Sequence, residues 1–118
     1  MASGTVAGPA GTDAPMAQFD IHAVPSADAD YAPYLVELQS DLVAGLDSTI
    51  VAPLVRRADA GPILHHLNPV IRFGDEELVM RVGELVSLPR SVLGRKVGSV
   101  KSDREALMAA IDVVFFGI

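Results

Sequence analysis

The chain has 118 residues, half of them apolar, with no cysteine, no tryptophan and a formal charge of −6. That length allows a single domain with one core of Val, Leu, Ile and Ala, and the absence of cysteine excludes disulfides and thiolate metal sites. The acidic balance argues against nonspecific nucleic-acid binding, which needs clustered Lys and Arg.

The charge is uneven. Every Lys and Arg lies at or beyond Arg56, whereas seven acidic residues precede it. This predicts a polarised surface. No apolar run reaches the length of a membrane span, and the N-terminus lacks the charged and apolar regions of a secretory signal. A cytoplasmic protein is expected. Residues Met1 to Pro15 are rich in Gly, Pro and small side chains. They have too little to bury and are expected to be a disordered extension, with the domain over 16–118 and Met16 an alternative start.

Phe19, Ile21 and Ala23 alternate with Asp20 and His22, the pattern of a half-buried strand with His22 on the solvent side. Pro25 to Pro33 reads as an Asp-rich loop. Tyr34 to Gln39 is a second strand, joined to the first as a hairpin. Leu42 and Val43 fall in a turn marked by Ser40, Asp41 and Gly45, where such hydrophobes most often dock under their own loop. Ser48 to Leu54 is a β-branched strand, and Pro53 places its end at an edge or bulge. A short strand near Ile63 is allowed within an otherwise loop-like stretch. The adjacent His65 and His66 would point to opposite sides of a strand, which makes a poor metal pair. Val70 to Phe73, the turn at Gly74-Asp75 and Leu78 to Val82 form a hairpin with an acidic tip at Asp75, Glu76 and Glu77. Leu85 to Leu88 ends at Pro89, and Ser91 to Gly98 reads as loop with one short strand.

Ser102 to Ile118 carries the helix signal. Ser102 and Glu105 have the spacing of a capping box, and Ala106 to Ala110 favour helix. Leu107, Ile111, Val114 and Ile118 share one stripe at about 100° per residue and should face the core. Phe116 projects to the other side, with Glu105, Ala109 and Asp112. Exposed aromatics there make a candidate partner-binding tip. The whole chain thus reads as a mainly β domain, a compact barrel or curled sheet of antiparallel strands with one C-terminal α-helix.

Several motifs resemble the CcdB toxins in order and spacing. They are Gln18-Phe19, Gln39-Ser40-Asp41, Val51-Ala52-Pro53-Leu54 and Asn68-Pro69-Val70. Phe73-Gly74-Asp75-Glu76, Ser87-Leu88-Pro89, Ser91-Val92-Leu93-Gly94 and the terminal IDVVFFGI complete the set. The resemblance covers about Gln18 to Ile118. It implies an SH3-like barrel, shared with the Kid and MazF toxins, plus a C-terminal helix. It also implies a symmetric homodimer whose helices meet near the two-fold axis. The family's toxins belong to plasmid-maintenance and chromosomal toxin–antitoxin pairs. They bind the A subunit of DNA gyrase and trap the gyrase–cleaved-DNA complex, and a CcdA antitoxin neutralises them. They catalyse nothing, so neither catalytic residues nor a cofactor is expected, and the toxin alone is not expected to bind nucleic acid or a membrane.

Carried over position by position, the gyrase-binding residues would be Leu42, Val43, Asp112, Phe115, Phe116, Gly117 and Ile118. Two depart from the family pattern. Phe116 replaces a Trp, which weakens any cation–π contact with an arginine. Asp112 replaces an Asn and adds a negative charge. Two other classes fit the same fold. One is an RNA endonuclease of the MazF or Kid kind, using Arg56, Arg57 and Arg72. The other is a non-toxic binding module.

Overall fold

Most of the sheet attaches to one long strand. Ser48–Arg56 (β3) is nine residues of largely β-branched and apolar character, and its inner positions are fully buried. One edge pairs antiparallel with Tyr34–Glu37 (β2), which pairs in turn with Asp20–Ala23 (β1). The other edge is shared by two strands. Val86–Pro89 (β6) takes Ser48 to Val51, and Glu76–Met80 (β5) takes Leu54 to Arg56. Val70–Phe73 (β4) pairs with β5, and Lys96–Ser99 (β7) pairs with β1. The helix Arg104–Phe116 (α1) closes the fold. These elements belong to a computed structural model that describes residues 17–25, 29–64 and 66–118.

The described strands run in the order β4-β5-β3-β2-β1-β7, with β6 beside β3. The sheet curls around a core that includes Ile21, Val36, Leu54, Ile71, Leu78 and Met80, against which Leu107 and Ala110 of α1 pack. This is the curled antiparallel sheet with one C-terminal helix that the sequence predicts. The two end strands approach each other through side chains. Tyr34 of β2 meets the Phe73 ring of β4 edge-on, with centroids 5.2 Å apart, and Phe73 also lies against Gly98 of β7.

Several expectations are corrected. Pro53 lies inside β3, not at its end. Its carbonyl accepts from the Arg81 N–H at 3.0 Å, so its nitrogen faces the same edge, in the gap between β6 and β5. No ladder bond is needed at that point, and proline is tolerated. His22 is buried rather than solvent-facing, because the segment around Gly94 covers the outer face of β1. Ile63 lies outside any strand.

Ser102 does not cap α1. Val100 is buried and donates its N–H to the Phe19 carbonyl, so the chain leaves β7 through a tight turn at Lys101–Asp103. The helix starts at Arg104 with no side-chain cap. The expected disordered extension at residues 1–15, and His65, lie outside the described residues.

Candidate functional site

The apolar stripe of α1 is narrower than its sequence suggests. Leu107 and Ala110 are fully buried, and Ile111 and Val114 are half-buried against the core. Ile118 leaves the stripe and is 83% exposed. The reason is Gly117, which adopts a left-handed backbone (φ 73°) and ends the helix. Its N–H donates to the carbonyls of Asp112 and Val113, both at 3.1 Å. This αL ending turns the following residue away from the stripe.

The opposite face matches expectation. Glu105, Ala109, Asp112 and Phe116 are all exposed, and Phe116 is 72% exposed. Its neighbour Phe115 is 59% exposed, and the two rings are tilted at 50° with centroids 6.4 Å apart. Phe115 faces a shallow pocket of about 120 Å³ formed with Leu38, Gln39, Ile50, Leu85 and Ile111. Gly117 and Ile118 face elsewhere. With Val113, Ala106 and Ala109 they line a larger groove of about 890 Å³, whose far wall is Ile63, His66, Asn68, Pro69 and Val70.

The second half of the site is the turn after β2. Asp41–Val43 is one turn of 3-10 helix, capped by the Ser40 hydroxyl, which accepts the Leu42 N–H at 3.1 Å. Leu42 is 95% exposed, so it does not dock under its own loop. Val43 and Leu46 are exposed as well. Exposed apolar residues grouped on one turn mark it as a candidate interaction surface. Gln39 joins this turn to the helix end. Its amide donates to the Val43 carbonyl (3.3 Å) and to the Ser48 carbonyl (3.1 Å), while its side lines the pocket under Phe115.

Gln39 is therefore the one residue shared by the two segments: its amide bonds the Val43 carbonyl of the turn, and it lines the pocket with Ile50 and Phe115. Phe116 and Asp112 lie on the outward helix face, and Gly117 and Ile118 turn toward the neighbouring groove. Each segment also carries a carboxylate. Asp112 is exposed, and Asp41 accepts the Gln18 N–H at 2.7 Å. Leu46, Ile50 and Val86 are exposed as well, and sequence reading missed all three. Ile50 and Val86 sit on exposed positions of paired strands, so an apolar residue on the polar phase of a strand was the available signal.

Sequence reading also missed a buried polar network beside the turn. Glu37 is nearly inaccessible. Its Oε1 lies 3.2 Å from His22 Nε2, and its Oε2 accepts from the Thr49 hydroxyl (2.9 Å) and Arg90 Nη1 (2.8 Å). His22 Nδ1 faces the Gly94 carbonyl at 3.2 Å. Burial pushes the Glu37 carboxyl up, but the bonds from His22, Thr49 and Arg90 outweigh it and hold the group below its ordinary value. Asp20 goes the other way. Burial raises it, against the Ala17 N–H and the Lys96 ammonium 3.3 Å away. Asp20, His22 and Glu37 hold one ligand atom each within 4.8 Å of one another. Each already has protein partners, and Lys96 and Arg90 supply the positive charge that a metal ion would bring.

Two of the three arginines considered for RNA cleavage, Arg56 and Arg72, are paired with acidic side chains. Arg56 Nε lies 3.6 Å from Glu76, and Arg72 Nη1 lies 3.7 Å from Glu77. Both pairs are well exposed, so they balance charge locally and add little stability.

Comparison with solved structures finds the same fold in bacterial toxins. An endoribonuclease from a mycobacterial species, in complex with its cognate antitoxin, superposes with a TM-score of 0.67 at 6% identity, over 84% of this chain and 93% of that one. The Mycobacterium tuberculosis toxin MazF-mt6 gives 0.64 at 21% identity, over 81% and 95%. At these identities the likeness is one of fold. Comparison with protein families is more specific: the family described as CcdB protein matches residues 18–117, nearly every described residue, and this chain belongs to the CcdB family.

Proposed function

We propose that this CcdB-family chain is the toxin of a toxin–antitoxin pair, acting by binding the A subunit of DNA gyrase and trapping the gyrase–cleaved-DNA complex. The residues are Leu42 and Val43 on the turn and Asp112, Phe115, Phe116, Gly117 and Ile118 at the helix end. The supporting observation is the exposure of the two apolar segments, Leu42 at 95% and Phe116 at 72%, where core packing explains neither. Their apolar surface would supply most of the binding energy. Asp41 and Asp112 beside it suit a partner that presents cationic side chains, and the Phe116 ring offers such a cation a π face, weaker than that of Trp.

The same reading carries a homodimer, a CcdA-like antitoxin, a cytoplasmic location and a toxin domain over residues 16–118. No helix among the described residues is long and apolar enough to cross a membrane. The charge balance at Arg56 and Arg72 argues against a basic RNA groove built on them. Titration of the purified chain against a gyrase A fragment, with a gyrase DNA-cleavage assay beside it, is the direct test. Saturable binding and accumulation of cleaved DNA are expected. Absence of both, with mRNA cleavage on expression, would show that the fold serves the other chemistry.

A further inference from the structure

The exposed turn carrying Leu42 and Val43 has little packing of its own. All seven residues from Asp41 to Asp47 are exposed. Its internal bonds are short-range, from the Val43 N–H to Ser40, from Ala44 to Asp41 and from Leu46 to Val43, at 3.1 to 3.2 Å. Such a turn frays unless something holds it from outside. Three groups do so: the Gln18 N–H on Asp41, the Gln39 amide on the Val43 carbonyl, and Arg90.

Arg90 differs from the other two in where it is rooted. Its Nε donates to the Leu46 carbonyl at 2.9 Å, and its backbone N–H donates to the Asp47 carbonyl at 2.8 Å. The same guanidinium sends Nη1 to the buried Glu37 carboxylate at 2.8 Å. Only 18% of the Arg90 side chain and 2% of the Glu37 side chain are exposed. The planar fork thus spans from the closing end of the turn to a carboxylate fixed inside the sheet by His22 and Thr49. Charge-assisted bonds with this burial are strong and directional.

We infer that Arg90 is a positioning residue for the Leu42–Val43 tip, fixing the turn by tying its Leu46 carbonyl to the buried Glu37. It does not touch the partner. It reduces the ordering that binding would otherwise require, and so acts on affinity through the turn. The inference rests on the reading of Leu42 and Val43 as binding residues. A lysine at this position keeps a charge near Glu37 but cannot bond Leu46 and Glu37 together in one rigid plane, so Arg90→Lys isolates the tie without stranding the carboxylate.

The test is amide hydrogen exchange on Arg90→Lys in the full chain, followed by titration against a gyrase A fragment. Exchange at Val43, Ala44 and Leu46 should speed up about tenfold, while Val36, Ile71 and Leu107 keep their protection. A general structural defect would instead lower protection everywhere. Affinity should fall about threefold or more, chiefly through slower productive association with a turn that must first order. Unchanged exchange in the turn overturns the inference, as does faster exchange spread over the whole sheet, or a loosened turn that binds as tightly as before. If the unmodified chain fails to bind gyrase, the proposed target falls, and the exchange measurement alone decides whether Arg90 holds the turn.

Discussion

The Phe73 ring fills the space that a side chain at position 98 would need. A Cβ built on Gly98 would stand 2.6 Å from Phe73 Cε1. Because Phe73 ends β4 and Gly98 lies in β7, this contact joins the two ends of the curled sheet where no ladder does. Gly98→Ala should push the ring off its edge contact with Tyr34 and cost about 1 to 3 kcal/mol of stability. Urea unfolding measures it, and Phe73→Leu in the same chain should recover part of the loss. An unchanged midpoint for Gly98→Ala would mean that the sheet ends do not meet here.

The two faces of α1 should separate stability from binding. Leu107→Ala removes a fully buried side chain and should cost about 2 to 5 kcal/mol. Ile111→Ala, at a half-buried site, should cost less. Phe116→Ala should stay within about 0.5 kcal/mol of the parent while weakening gyrase binding by about 2 kcal/mol or more. Phe116→Trp should tighten it. A melt of Phe116→Ala as low as that of Leu107→Ala would place the ring in the core.

The strands and the outward face of α1 were legible because each rests on one local regularity, alternation for a strand and 100° spacing for a helix. Phe116 is exposed for the reason the spacing gives. What stayed hidden needed the third dimension. Alternation put His22 and Ile21 on opposite faces of β1 but could not say that both faces are covered. Pro53 looked like a strand end because a missing N–H usually breaks a ladder, and only the topology shows two strands handing over at that residue. The role of Gln39 depends on the Val43 and Ser48 carbonyls lying within reach of one amide. One sign was present: Glu37 and Thr49 interrupt otherwise apolar runs, and a lone polar group in such a run needs a buried partner.

Acid should reveal two opposing carboxylates. The Glu37 carboxyl is held below its ordinary value of 4.5, so its contribution is present above about pH 4.5 and lost as pH falls through the lowered folded value. Asp20 is raised above 3.8 by burial. The fold then holds its proton more tightly than the unfolded chain does, and stability falls as pH rises from about 3.8 through the raised value. Chemical denaturation across about pH 3 to 6, the range in which ordinary carboxylates titrate, separates them. Glu37→Gln should flatten the loss of stability on acidification, and Asp20→Asn should steepen it. The same slope in both variants would contradict this assignment.

Self-association should use the groove beside α1. Ala106 and Val113 form part of one wall and Val70 part of the other, and these surfaces are apolar and open in a single chain. Sedimentation equilibrium at micromolar concentration should give a dimer. Val113→Glu should shift it to monomer with little change in the unfolding of the monomer itself. A parent chain that sediments only as monomer would remove the composite surface from the proposed mechanism.

The pairing of β1 with β7 sets the order in which the molecule can be made. Asp20 lies opposite Ser99, about 80 residues further along the chain. A ribosome has therefore released most of the sequence before the first strand can find its outer neighbour. Until then β1 has one bare edge, and Phe19 lacks the Val100 N–H that bonds its carbonyl. Closing so large a loop is slow, and the nascent chain exposes apolar strands while it waits. A CcdB-family chain built this way matures only after translation has passed its last strand, so any protein that captures it during synthesis meets an open sheet rather than the finished surface.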